Sequence, residues 1–265
     1  MYSESEDFKE KRGAFLRMLA ALNSFCGEGI IKQCKMALEI GGSGGVLAGM
    51  VSHAGPRVIC TDIVDVQVKY NGEFPRLLKE KFERNGFNLD LGKIEFHTAD
   101  AQDLLYGNDK FDLVFSLNAF EHIPDPITAI REISRVLRKG GIFYASFDPV
   151  WTADSGSHFM EYVKEPWLHL LLTDDEFRER MRQGGAAEWQ INEYPHAMNR
   201  RPALFYRTDV KDALEALFSR SSIVHWSGCV SADNVNHANR FLAASRHGWE
   251  SEDLLIRGFQ IVAVK

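Results

Sequence analysis

The sequence Leu38-Glu-Ile-Gly-Gly-Ser-Gly-Gly45 is the most informative stretch of the chain, because a short apolar run leads directly into a glycine-rich turn. The run begins at Lys35 and ends at Ile40, and an apolar segment of helical length, residues 46–53, follows the last glycine. A strand, a glycine turn and a helix in this order leave backbone N–H groups free at the start of the helix. The stretch therefore predicts the first strand of an α/β sheet, with a ligand-binding turn at its carboxyl end.

Strand and helix patterns alternate on the C-terminal side of this turn. The predicted strands cover residues 57–62, 93–98, 111–116 and 142–147, and the predicted helices cover 74–85 and 126–137. The second helix has a proline at its start and two glycines after its end, which are typical entry and exit signals. This alternation predicts a Rossmann-like, doubly wound α/β sheet, in which ligands bind outside the carboxyl ends of the parallel strands.

The regular alternation stops after residue 147. Residues 148–206 are rich in aromatic and histidine side chains, with helical pieces near 166–172 and 174–183. A predicted helix at 208–218 and strands at 222–227 and 259–264 then complete a seven-stranded sheet. Long irregular stretches inside compact domains are usually functional. We therefore predict a helical cap (1–30), a cofactor-binding core (31–147), a helical insertion after strand five that forms the acceptor site (148–206), and the rest of the core (207–265).

The composition excludes several classes of protein. With 45% apolar residues in a chain of 265, one sizeable core is expected, and disorder is not. The net charge of −6 and the scattered basic residues argue against a nucleic-acid partner. The acidic start and the lack of a long apolar segment argue against a secretory signal and a membrane partner. Four cysteines without a C-x-x-C pair favour a reduced, cytoplasmic protein.

Acidic residues stand at the ends of three consecutive predicted strands, at Glu39, Asp62 and Asp100. A carboxylate at position 62 can accept both hydroxyls of a ribose, and one at position 100 can accept the exocyclic amine of adenine. Asp62 alone could equally cap the end of its strand, and Asp100 could cap a helix that begins at Ala101. Together with Glu39 they indicate a pocket for an adenosine with positive charge and no phosphate. The turn matches neither G-x-x-x-x-G-K-[ST] nor G-x-G-x-x-G, which disfavours a nucleotide- or NAD-dependent enzyme.

At this point the chain resembles the class I S-adenosylmethionine-dependent methyltransferases, specifically the small-molecule enzymes of the ubiquinone-biosynthesis type. Residues 38–45 are similar to their glycine motif, 58–62 to the ribose-binding strand, 98–101 to the adenine turn, 111–126 to the fourth-strand motif and 135–141 to the turn before strand five. The resemblance covers residues 35–147 well and implies an antiparallel last strand near 259–264. Ser43 is a departure, because many members have a glycine there.

The resemblance implies S-adenosylmethionine as cofactor, with S-adenosylhomocysteine as its product, and a small-molecule acceptor. The residues implied in cofactor binding are Glu39, Gly41, Gly42, Ser43, Gly45, Asp62, Ile63, Asp100, Ala101, Leu117 and Asn118. We favour O-methylation of a sugar or secondary metabolite, because the insertion after strand five carries a histidine. N- or C-methylation, and a cofactor-binding module without turnover, are the alternatives.

A general base is needed only when the acceptor is a weak nucleophile such as a hydroxyl. His158 in the insertion and His122 just after strand four are the candidates. The alternatives are a histidine of a lid at 158, and at 122 a structural histidine or, with Glu121, a metal ligand. Asp154, His158 and His169 could also bind a metal, but no H-x-x-x-H spacing supports one there, and no metal is expected.

Two further segments have open roles. The helix at residues 8–25 is expected over the cofactor or in a homodimer contact. Arg200 and Arg201 could bind a carboxylate or phosphate of the acceptor, or form a solvated turn.

Overall fold

A computed structural model of the protein describes residues 4–42, 44–231 and 235–265. Within these residues one sheet has seven strands in the order β3-β2-β1-β4-β5-β7-β6. Its strands are β1 (Met36–Ile40), β2 (Arg57–Asp62), β3 (Ile94–Thr98), β4 (Phe111–Leu117), β5 (Leu137–Phe147), β6 (Arg220–Ser227) and β7 (Ile256–Val264). Strands β1 to β5 pair in parallel, whereas β7 is antiparallel to both β5 and β6. The predicted seven-stranded, doubly wound sheet with an antiparallel last strand is confirmed.

Helices connect the strands and cover the sheet. They are α1 (Glu4–Cys26), α2 (Ile30–Gln33), α3 (Val46–Ala54), α4 (Val66–Lys69), α5 (Phe74–Arg84), α6 (Pro126–Val136), α7 (Asp174–Gln183), α8 (Glu188–Glu193), α9 (Ala203–Phe205), α10 (Lys211–Leu217), α11 (Val235–Arg246) and α12 (Ser251–Leu255). None of the helices described is both long and apolar enough to cross a lipid bilayer.

Two of the predicted helices differ in form from the expectation. The predicted helix at 208–218 begins as a π-helical turn, Tyr206–Val210, and becomes regular only in α10. The helical piece expected near 166–172 is a single 3₁₀ turn, Leu168–Leu170. It follows Trp167, whose φ of 56° interrupts a regular helix. Helices α3 and α7, by contrast, begin at the predicted residues, Val46 and Asp174.

Each face of the sheet is buried under helices. Phe8, Met18, Met50 and Phe82, from α1, α3 and α5, pack with Phe115 on one face. On the other face, α6 and α10 contribute the buried side chains Ile130, Ile133 and Leu214, which pack against Phe111, Phe143 and Phe147 of β4 and β5. Burying a side chain of this size stabilises the fold by about 1.5–3 kcal/mol relative to exposure. The two apolar clusters therefore fix the sheet, and with it the positions of the loops at its carboxyl edge.

The residues after β5 form a third apolar cluster. Trp151, Trp167, Phe177 and Tyr194 are buried there, together with Leu254 of α12. Arg200 packs against two rings of this cluster. Its guanidinium is 3.0 Å from both carboxylate oxygens of Asp174 and lies over the rings of Trp151 and Tyr194. Most of the aromatic side chains between residues 148 and 206 therefore serve packing, and Arg200 already has a carboxylate partner within the same cluster.

Candidate active site

The glycine turn between β1 and α3 has room for glycine alone at two positions. Gly41 has a φ of 72°, and a Cβ there would lie 2.3 Å from Cβ of Ala119. A Cβ on Gly42 would lie 2.4 Å from Sγ of Cys60. Both values are below any normal contact distance, and a φ near 70° is strained for residues with a side chain. The backbone of the turn is therefore held tightly against β2 and the loop after β4.

A cavity of about 460 Å³ opens at the carboxyl edge of the sheet beside this turn; we call it the nucleoside cavity. Its lining residues follow β1, β2, β3 and β4: Ile40, Gly41, Asp62, Ile63, Ala99, Asp100, Ala101, Gln102, Asn118, Ala119, His122, Ile123 and Pro124. Ile63 exposes 68% of its surface, so it offers an apolar wall to a flat ring. The predicted ligand edge of the sheet thus contains a real cavity with two carboxylates in it.

The two carboxylates of the nucleoside cavity keep free capacity to accept hydrogen bonds. Asp62 accepts one from the backbone N–H of Val64 at 2.9 Å. Asp100 accepts hydrogen bonds from the backbone and side-chain nitrogens of Gln102, at 2.8 Å and 3.1 Å. The segment after Asp100 is a turn, so Asp100 does not cap a helix that begins at residue 101. A carboxylate has about four acceptor sites, so each can still bind a ligand hydroxyl or amine.

A second, smaller cavity of about 120 Å³ adjoins the nucleoside cavity at Gly41 and Asn118; we call it the turn cavity. It lies between the glycine turn and α1, which contributes Asp7 and Lys11. Glu39, Gly42, Gly45 and Leu117 also line it. Helix α1 therefore covers the glycine turn.

Glu39 is the buried carboxyl group of the turn cavity, with only 3% of its surface exposed. Its Oε2 accepts a hydrogen bond from Sγ of Cys60 at 3.2 Å. Burial raises the pKa of Glu39 to about 7. The hydrogen bonds from Cys60 and from the backbone of Ala48 lower the pKa, but their effect is smaller than that of burial. A cationic ligand in this cavity would favour the ionised form of Glu39.

We expect the affinity for S-adenosylhomocysteine, which carries an ammonium group, to depend on pH through Glu39. With a pKa of about 7, binding should strengthen about tenfold from pH 6 to pH 8, because the carboxyl must lose its proton to attract the ammonium. Calorimetric titrations in buffers of different ionisation enthalpy would measure the affinity and the proton released. Glu39→Gln should remove the pH dependence. A wild-type affinity that is flat over this range would contradict the assignment.

A third cavity, of about 370 Å³, lies on the other side of Asn118, under α1; we call it the α1 cavity. Its lining is polar apart from a few side chains: Glu10, Ala14, Arg17, Leu117, Asn118, Ser146, Asp148, Trp226 and Gln260. Asn118 has a φ of 51° and lines all three cavities. The strained backbone after β4 therefore stands where the three spaces meet.

The two candidate bases lie side by side. The rings of His122 and His158 have centroids 4.9 Å apart, and Glu121 is buried next to them. His158 has an exposed surface, yet the protein atoms around its imidazole lower its pKa, and His122 lowers it further. His158 is therefore uncharged at neutral pH. His169, by contrast, is buried and hydrogen-bonds the carbonyl oxygen of Trp151 at 2.7 Å, inside the third apolar cluster.

The structure brings most of the sequence-predicted cofactor residues to one edge. All of them line the nucleoside or turn cavity except Ser43, which lies outside the described residues. Sequence reasoning missed Gln102, the α1 residues of the turn cavity and the lining of the α1 cavity. No motif could have found the last group, because α1, β5, β6 and β7 contribute it from distant parts of the sequence.

Comparison with known proteins agrees with this geometry. Residues 38–145 match the family described as a methyltransferase domain. The chain is 33% identical over 109 residues to sarcosine/dimethylglycine N-methyltransferase of Halorhodospira halochloris, covering 40% of this chain and 38% of that protein. It is 26% identical over 159 residues to ubiquinone biosynthesis O-methyltransferase of Cereibacter sphaeroides strain ATH 2.4.1, covering 56% and 58%. The matches thus span about two fifths to three fifths of these relatives.

Solved structures are similar in fold. The structure of geranyl diphosphate C-methyltransferase from Streptomyces coelicolor A3(2), which contains S-adenosyl-L-homocysteine, superimposes with a TM-score of 0.50 at 12% identity. The match covers 87% of this chain and 70% of that one. The cavities at the carboxyl edge, the glycine turn and the matched domain lead to one conclusion. Residues 38–145 therefore form a methyltransferase domain of the class I type, whose cofactor is S-adenosylmethionine.

Proposed function

We propose that this protein transfers a methyl group from S-adenosylmethionine to a hydroxyl of a small molecule. The observation that carries the proposal is the position of Asn118, at the meeting point of the nucleoside, turn and α1 cavities. The adjoining nucleoside and turn cavities suit the two halves of the cofactor. The α1 cavity, on the other side of Asn118, leaves room for an acceptor next to them.

The residues present fit the cofactor. Asp62 is free to accept the ribose hydroxyls, and Asp100 with Gln102 can bind the adenine edge. The turn cavity suits the amino-acid half, because Glu39 can attract its ammonium and the backbone at Gly41 allows close approach. The sulfonium of the bound cofactor would supply an already activated methyl group.

The α1 cavity suits a small polar acceptor. Glu10, Arg17, Ser146, Asp148 and Gln260 offer donors and acceptors there, and Trp226 offers an apolar face. Helix α1 would exclude water from this space and hold the acceptor in line with the methyl group, which is the main contribution of the protein to such a transfer. The insertion contributes Asp148 to the acceptor site, and α1, β6 and β7 contribute much of the remainder.

Transfer to a hydroxyl requires removal of one proton. As the new O–CH₃ bond forms, the S–CH₃ bond breaks, and the hydroxyl proton leaves to a base or to water. The paired imidazoles of His122 and His158 are our candidates for assisting this step. His122 lines the nucleoside cavity, and its ring lies against that of His158, with centroids 4.9 Å apart.

A second candidate function is N-methylation of a small amine. Glu10 and Asp148 place two carboxylates in the α1 cavity, and Trp226 adds an aromatic face, which together suit a cationic amine. The pairing of Asp148 with Arg257, at 3.2 Å, weakens this alternative because it already neutralises one of the carboxylates. We therefore keep the hydroxyl acceptor as the proposal.

Methyl transfer can be tested without knowing the acceptor. The protein is incubated with ¹³C-methyl-labelled S-adenosylmethionine and fractionated small-molecule extracts, and labelled products are read by NMR. The chemical shift of the labelled methyl separates O-, N- and C-linked products. We expect an O-methyl signal that disappears with Asp62→Ala. An N-methyl signal would favour the amine acceptor, and failure to bind the cofactor at all would overturn the proposal.

A further inference from the structure

A buried glutamate lies without a hydrogen-bond partner beside the two histidines. Glu121 has none of its surface exposed, and neither of its carboxylate oxygens has a partner among the residues described. Its Oε1 is 3.9 Å from Nε2 of His122. An isolated polar group in a protein interior costs several kcal/mol unless it is compensated, and a carboxylate is compensated best by a cation. The site therefore lacks one positive partner.

Backbone carbonyls orient both imidazoles. Nδ1 of His122 hydrogen-bonds the carbonyl oxygen of Ala197, and Nε2 of His158 lies 3.4 Å from the carbonyl oxygen of Pro149. A carbonyl accepts but cannot donate, so the ring nitrogen that faces it carries the proton. The opposite nitrogen of each ring is then free of a proton and can bind an ion. This arrangement, with the second N–H of each histidine bound to a carbonyl, is typical of histidine ligands.

We propose that Glu121, His122 and His158 bind one divalent transition-metal ion, of the class that includes Zn²⁺ and Co²⁺. One ligand atom from each of the three residues lies within 4.8 Å of the others. Two imidazoles and one carboxylate are a donor set that suits transition metals, whereas Mg²⁺ and Ca²⁺ prefer oxygen alone. The two histidines are exposed, so an ion can enter, and three protein ligands leave a coordination position open.

Sequence reasoning considered Glu121 and His122 as metal ligands but did not join His158 to them, because spacing rules look for ligands close together in the chain. His122 follows β4, whereas His158 lies in the insertion after β5, and the parallel pairing of these strands together with the path of the insertion brings them together. Asp148 lies near enough to act on both Glu121 and His158 electrostatically, and it also lines the α1 cavity. The cluster adjoins the nucleoside cavity, which His122 lines.

The use of such an ion rests on the proposed function. A hydroxyl of the acceptor in the open coordination position would lose its proton to water more readily, since a bound cation stabilises the resulting alkoxide. The alkoxide oxygen would then take the methyl group as the S–CH₃ bond breaks, leaving S-adenosylhomocysteine. In that case the histidines are ligands, and neither serves as the base itself.

Cobalt binding tests the site without cofactor or acceptor. Metal-free protein, with any affinity tag removed, is titrated with Co²⁺, and binding is followed by visible absorption and by equilibrium dialysis. We expect one ion per chain, with an affinity at least about tenfold lower in His122→Ala, His158→Ala and Glu121→Gln. His247→Ala, which removes an exposed histidine after α11, is the matched control and should bind as the wild type does.

Three results would overturn the metal site: no cobalt binding by the wild type, equal binding by all variants, or absorption typical of thiolate ligands, which would place the ion on a cysteine. Thermal unfolding of each variant shows whether it is folded, and titration of the wild type with S-adenosylhomocysteine shows separately whether the cofactor binds. Cofactor binding with no cobalt site would refute this inference alone. Cobalt binding with no cofactor binding would refute the proposed function and leave the metal site standing.

Discussion

Asp62→Ala is expected to weaken binding of S-adenosylhomocysteine about a hundredfold while leaving the fold intact. The carboxylate would accept both ribose hydroxyls, and hydrogen bonds to a charged group contribute about 1.5–3 kcal/mol each. A loss of about 3 kcal/mol corresponds to roughly a hundredfold in affinity. The stability should change little, because Asp62 makes one local hydrogen bond, to the backbone N–H of Val64. Calorimetric titration measures the affinity, and thermal unfolding measures the stability.

Asp65→Ala is the matched control for this experiment. Asp65 lies three positions further on and caps α4 by accepting hydrogen bonds from the backbone of Gln67 and Val68, at 2.9 Å and 3.1 Å. Its removal should cost about 1 kcal/mol of stability, as the loss of a helix cap usually does. The affinity should stay at the wild-type value, since Asp65 does not line the nucleoside cavity. Equal affinities for wild type and Asp62→Ala would remove residue 62 from the site.

Gly41→Ala is expected to abolish detectable cofactor binding and to lower the free energy of unfolding by about 3 kcal/mol. The left-handed φ of 72° disfavours alanine by about 1–2 kcal/mol. The new Cβ would also overlap with Cβ of Ala119, and overpacking of this kind typically costs about 1–3 kcal/mol. Relief of that overlap must displace the turn, and with it the backbone that faces the cofactor. Denaturant unfolding and calorimetric titration give the two effects separately.

Two further variants serve as a control and as a partial rescue for Gly41→Ala. Gly107→Ala adds a methyl group at an exposed glycine with no atom within 4 Å of the new Cβ, so it should behave as the wild type. Ala119→Gly, added to Gly41→Ala, removes the overlap but keeps the backbone strain, so it should restore part of the stability. The assigned role of the turn would be wrong if Gly41→Ala bound the cofactor normally.

The α/β core was predicted from local sequence patterns. The strand at residues 36–40, the turn after it and the helix that begins at Val46 follow from apolar runs and glycine, which act on the neighbouring backbone. Asp62 and Asp100 were found because parallel strands end at a common edge, a rule that needs no knowledge of side-chain packing. The predicted ends of these elements differ from the observed ones by only a few residues.

Contacts between distant segments could not be predicted in the same way. Helix α11 was missed because its sequence is largely polar, and Ala244 is its one fully buried residue among those described. The α1 cavity depends on Arg17, Ser146 and Trp226 meeting from three separate elements. The meeting of His122 and His158 likewise requires the path of the insertion, which no periodicity encodes.

A crystal structure of the protein with S-adenosylhomocysteine tests the central assignment most directly. We expect the ribose hydroxyls within hydrogen-bond distance of Asp62, the adenine beside Ile63 and Asp100, and the ammonium in the turn cavity near Glu39. The sulfur should then face Asn118 and the α1 cavity. A nucleoside bound away from these carboxylates, or with its sulfur turned away from Asn118, would contradict the account.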